Sequence, residues 1–165
     1  MLVPLPFGGV ASPKSLCYTA FMDASDLPRL DDLCAALRSD CRLAALYLFG
    51  SYARGVANRL SDIDLGILFR RQVEASAYFP LRLEYLTSFM SVLRTSKVEA
   101  VVLNQAPIHL AYEIVSRGRL LLNLDPPERV AFEAGTIGRF LDIKPWLAVQ
   151  LRAVKQQLLA GSYFD

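Results

Sequence analysis

Leu48 to Phe69 reads LFGSYARGVANRLSDIDLGILF. Its second half alternates. Ile63, Leu65, Ile67 and Phe69 fall on one side of an extended chain, with Asp62, Asp64, Gly66 and Leu68 on the other, so Asp62–Phe69 is expected as a strand. Its first half closes a wholly apolar run, Leu43–Phe49 (LAALYLF), stopped by Gly50. Such a run suits a strand buried on both faces. Between the two strands, Ser51–Val56 reads as a turn into a short helix and Asn58–Ser61 as a polar loop.

This arrangement points to chemistry on phosphates. Gly50-Ser51 sits where a buried strand meets a helix start. Free backbone N–H groups and the positive end of a helix dipole can hold phosphate oxygens there. Glycine lets the backbone approach an anion, and the serine hydroxyl adds a donor. Asp62 and Asp64 lie two residues apart on a strand, so they share a face with Cα atoms roughly 6.5 Å apart. Two carboxylates so placed repel unless a cation lies between them. Mg²⁺ takes oxygen ligands from a few carboxylates and completes its shell with water and phosphates. Glu99, between Val98 and Ala100 in a further apolar run, is the candidate third acid. A Gly-Ser after a strand is often only a turn, and an Asp-x-Asp often only a solvated strand edge; it is their combination that carries the argument.

Outward from this centre, Leu27, Leu30, Leu33, Cys34 and Leu37 share one face of a helix beginning near Asp26. Phe79, Leu83, Leu86, Met90 and Leu93 predict the core stripe of a long helix, with Pro80 near its start. Lys97–Leu103 is expected as a third strand, Pro107 to Gly118 as a helix, and Leu120–Leu122 as a short fourth strand. Asp125-Pro126-Pro127 opens another helix. Pro145 is expected to interrupt it before a last helix striped by Leu147, Leu151, Val154 and Leu158; for that stripe and for Trp146 core packing is expected over service to a partner helix. His109, the only histidine, is expected in a packed or surface role. The order of elements predicts an α/β (α+β, mixed-sheet) domain with a helical C-terminal segment.

Composition narrows the function. The 165 residues suit one domain, and a net charge of +2 argues against a strongly basic nucleic-acid binder. A mean hydropathy of +0.30 is compatible with an apolar face kept for a partner, or with a Leu-rich core. No apolar run is long enough to span a membrane. Pro4, Pro6 and Gly8-Gly9 break the stretch a signal peptide would need. Cys17, Cys34 and Cys41 make no CxxC pair, a reduced pattern, so the expected location is cytoplasmic. Residues 1–22, with Lys14 as their one charge before the aspartate-containing part begins, are expected to form a flexible N-terminal arm.

Gly50-Ser51, ten residues, then Asp62-x-Asp64 resembles the G-S-x10-D-x-D signature of the nucleotidyltransferase (polymerase-beta-like) superfamily. The fuller string GSYARG…SDIDLGILF, with KVEAVVLNQAP, YEIVSRGRLLL and FLDIKPWL, most closely resembles the minimal nucleotidyltransferases, the antitoxin partners of HEPN toxins. The likeness runs from about Leu43 to Leu158, inside a nucleotidyltransferase domain expected over 23–165. It implies a domain that binds ATP and Mg²⁺, with a two-metal site, and transfers AMP to a tyrosine of a cognate HEPN ribonuclease toxin. Carried onto this chain, Gly50 and Ser51 would hold the triphosphate, with Arg54 near the phosphates or pairing with a carboxylate. Asp62, Asp64 and Glu99 would be the catalytic, metal-ligating acids. Glu99 departs from the family's usual Asp at its position. A homo-oligomer or hetero-oligomer is compatible with such a pair.

Two other readings remain open on the sequence. The acceptor could instead be a small aminoglycoside-like molecule, although 165 residues leave little room for a substrate domain. Alternatively, the protein could be a non-catalytic antitoxin that neutralises its toxin by binding alone.

Overall fold

A computed structural model of the protein describes residues 29–159. The expected arm (1–22) and the expected helix opening at Asp26 and Leu27 lie outside the described residues. Four strands, β1 (Leu43–Phe49), β2 (Ile63–Phe69), β3 (Val98–Val102) and β4 (Arg119–Asn123), form one mixed sheet in the order β3-β2-β1-β4. β1 runs antiparallel to β2 and β4, while β2 and β3 are parallel. The helices are α1 (Leu30–Leu37), the single turn α2 (Gly50–Ala53), α3 (Tyr78–Leu93), α4 (Ile108–Arg117) and α5 (Pro126–Leu159). This is the expected α/β mixed sheet.

β1 is central, and its unbroken apolar sequence follows from that position. Leu43, Leu46 and Leu48 pack with Ile63, Leu65, Ile67 and Phe69 of β2 under α1 and α3. Its other face sets Ala44, Ala45 and Tyr47 against Leu68, Leu103 and Ile114, on the side of α4 and α5. β2 keeps the alternation read in its sequence, and Gly66 leaves room for Ile114 and Leu103 to approach its backbone. Asp64 of β2 and Glu99 of β3 lie on this second face, with Asp62 just before β2.

Three expectations change. The inward face of α3 is Tyr85, Phe89 and Leu93, with Leu86 and Met90 partly buried, whereas Phe79 is 64% exposed and Leu83 is exposed. The helix is apolar nearly all round, so its own period is ambiguous. Its rotation is settled by an aromatic cluster in which Phe69 stacks on Tyr78 and meets Tyr85 edge-on, as Tyr85 meets Phe89. Pro80 fits because the first turn needs no N–H partner there. Pro145 lies inside α5 and does not end it. The bond it removes is the one to the Leu141 carbonyl, and Leu141 is half-exposed, so water can serve that oxygen. Trp146 is 62% exposed and Val154 is 36% exposed, against the expected core packing; the side chains of Leu151 and Leu158 lie outside the described residues.

Candidate active site

β1 delivers the chain to Gly50, whose φ of 68° is left-handed, and α2 begins there. Phe49 pairs with Asp64 across the antiparallel ladder. A Cβ on Gly50 would overlap the Asp64 carboxylate. Glycine is thus required twice, for the backbone angle and for the space. The two ends of the G-S-x10-D-x-D pattern, separate in sequence, are in contact in the fold.

The parallel ladder sets Asp64 beside Glu99, register partners whose side chains share a face. Asp62 lies just before β2, exposed, as is Glu99, while Asp64 is half-buried. The Asp64 carboxyl is raised above its ordinary range, first by burial and then by the charges of Glu99 and Asp62, with Arg54 acting the other way. All three predicted acids therefore act on one point. Among the described residues they are not drawn into a ready-made cage of three or more acid, His or Cys ligands. The donor chemistry nonetheless fits a hard cation: a desolvated carboxylate cradled by glycine, two more carboxylates at the rim, and open positions for water or phosphate oxygens.

Ser51 is half-buried in the single turn of α2, and Arg54 follows that turn, its N–H donating to the Gly50 carbonyl at 3.3 Å. The Arg54 guanidinium lies 3.7 Å from Glu113 of α4, with both side chains half-exposed. This pairing leaves the half-exposed guanidinium within reach of the turn at Gly50 and Ser51. Glu113 was not legible in the sequence, because no spacing rule links a turn after β1 to α4. Lys97 was missed as well: its Nζ donates to the Arg59 carbonyl at 2.7 Å, and its own carbonyl accepts from the Ile63 N–H at 2.9 Å, tying the loop before Asp62 to the start of β3. His109 is exposed.

The chain matches the family described as polymerase beta, nucleotidyltransferase over residues 32–127. It is 35% identical over 80 residues to the protein adenylyltransferase MntA of Shewanella oneidensis, a stretch covering 48% of this chain and 54% of that protein. The match thus spans about half the length of this relative. Among solved structures it resembles a toxin–antitoxin complex with AMP-PNP, at a TM-score of 0.62 and 26% identity, covering 76% of this chain and 98% of that one. It also shares its fold with a chain from a complex of tri-AMPylated Shewanella oneidensis HEPN toxin and MNT antitoxin (TM-score 0.57, 23% identity, 77% of this chain and 96% of that one).

Proposed function

The chain belongs to the polymerase beta nucleotidyltransferase family, and from that premise we propose that it is a protein adenylyltransferase. It moves AMP from ATP to a tyrosine hydroxyl of a cognate HEPN toxin, and so serves as that toxin's antitoxin. The observation that carries this reading is the Asp64 carboxylate lying on Gly50 with Glu99 beside it, which puts a phosphate-holding turn and a set of acids at one point. The activities and assemblies named for the relatives above support it.

The backbone N–H groups at Gly50 and Ser51, with the Ser51 hydroxyl, hold triphosphate oxygens. Arg54, close enough to Asp64 to act on its charge, offers a guanidinium to the same phosphates. Asp62, Asp64 and Glu99 are the residues that would hold Mg²⁺, in a one- or two-ion site. When bound, Mg²⁺ supplies charge neutralisation for the phosphates and for the departing pyrophosphate. The acceptor oxygen forms a bond to the α-phosphorus as the bond to the β-phosphate oxygen breaks, and Glu99, at the open rim, accepts the hydroxyl proton. No helix among the described residues is long and apolar enough to cross a membrane, and a cytoplasmic site of action belongs to the same proposal.

The test uses the protein with the product of the adjacent gene and ATP labelled at the α- or the γ-phosphate. Label on the partner from α-labelled ATP only is the expected result. Label from γ-labelled ATP would make the protein a kinase, and a partner bound and silenced without any label would leave a binding-only antitoxin.

A further inference from the structure

Between Arg54 and Asp62 the chain displays two large apolar side chains to solvent, Leu60 at 83% and Val56 at 64% exposure. Leu60 is the most exposed large apolar side chain among the described residues. Its loop is held in shape. The Asn58 N–H donates to Ser61 Oγ at 2.9 Å, the Leu60 N–H to Asn58 Oδ1 at 2.8 Å, and the Ser61 N–H to the Asn58 carbonyl at 3.0 Å. Lys97 Nζ fastens the same loop to the start of β3 through the Arg59 carbonyl. An apolar side chain held in water by a fixed loop contributes little to folding; it gains only when something covers it.

What covers it must also reach the acids. Leu60 is two residues from Asp62, a span of at most about 7 Å along the chain. The exposed cations Arg59 and Lys97 flank it. Resting on the proposed adenylyl transfer, we infer that Leu60 and Val56 are the docking contact for the acceptor protein. They grip the polypeptide beside its modified tyrosine, at a partner surface that is apolar and bordered by acidic groups. The partner's apolar side chains pack on Leu60 and Val56, its acids face Arg59 and Lys97, and its hydroxyl is thereby delivered to the carboxylates. The loop acts as a specificity element for a macromolecular acceptor, separate from the residues that hold the nucleotide.

The experiment compares the full chain with its Leu60→Ser, Val56→Ser and Asn58→Ala variants. Affinity for the adjacent-gene protein is measured by calorimetry without nucleotide, KM for that acceptor at saturating ATP, and ATP affinity separately. Leu60→Ser is expected to weaken acceptor binding and raise its KM about tenfold, leaving kcat, ATP affinity and the thermal midpoint unchanged. Val56→Ser should do the same to a smaller extent. Asn58→Ala, which frees the loop without removing an apolar group, should raise KM in the same direction. Unchanged acceptor affinity and KM in Leu60→Ser would overturn the inference while leaving the transferase intact. So would a loss of ATP affinity alone, which would put the adenine base on Leu60, or a change in self-association alone, which would put a second copy there. A wild-type protein that transfers nothing would overturn the underlying activity as well.

Discussion

At the scale of single residues, the site rests on the contact between Gly50 and Asp64. Gly50→Ala must accept a left-handed backbone and push the carboxylate aside. Denaturant titration should show a loss of about 1–2 kcal/mol, and transfer should fall by about 100-fold or more from displacement of an acid by an ångström. Asp64→Asn separates function from stability. In the free protein this carboxylate is desolvated and repelled by Glu99 and Asp62. An acid whose folded pKa is raised opposes folding increasingly as pH rises through that pKa. The asparagine variant should therefore have a higher thermal midpoint than the wild type at pH 7 in Mg²⁺-free buffer, with the gap closing toward acid, while transfer is lost. A lower midpoint at pH 7 would show that the carboxylate is satisfied by contacts and not strained by charge. The acids and the glycine were legible because strand alternation and a short spacing place them. Glu113 and Lys97 were not, because they arrive from elements whose approach only tertiary packing decides.

At the scale of elements, two polar networks fasten helices to the sheet. Asp40, just before β1, accepts from Arg42 Nε and Nη2 at 3.0 and 2.8 Å and from the Tyr85 hydroxyl of α3 at 2.6 Å, and Arg42 also reaches Glu84. The Arg42 hydrogen bonds hold the Asp40 carboxyl down to about 2, from an ordinary value of 3.8. For a depressed acid the stabilisation is complete above the unfolded value and is lost as pH falls through the folded one. Asp40→Asn should cost about 1–2 kcal/mol at pH 7, and its difference from wild type should vanish between roughly pH 4 and pH 2. On the other face, the Tyr47 hydroxyl donates to Glu133 of α5 at 2.6 Å, and Arg129 closes the group. Burial and that carboxylate push the Tyr47 phenol up, so it stays protonated. Tyr47→Phe should cost about 1–2 kcal/mol by loss of a bond to a charged group, read from the shift in denaturation midpoint. The strands were legible to within a residue or two because their apolar runs are short and bounded by turns. The rotation of α3 was not, since apolar side chains lie around most of the helix and aromatic packing selects which of them face inward. Nor was the continuity of α5 through Pro145, because a proline is tolerated where the freed carbonyl can meet water.

At the scale of the whole molecule, the sheet order brings the ends of β1, β2 and β3 together on one side. Gly50, Asp62, Asp64 and Glu99 meet there although three separate elements supply them. The family was legible from the glycine–serine and aspartate spacing, whose local geometry needs no tertiary knowledge. The exposed apolar surfaces at Phe79 and along α5 were not, since their residues read as core until the fold leaves them outside, and Leu60 was hidden inside what reads as a polar loop. The central claim is that these clustered acids drive adenylyl transfer to a protein. Intact mass spectrometry of the partner tests it most directly, after incubation with ATP, Mg²⁺ and either the wild-type chain or its Asp64→Asn variant. The account predicts that the partner gains one or more adenylyl groups with the wild type and none with the variant. Equal gain with both proteins would contradict it.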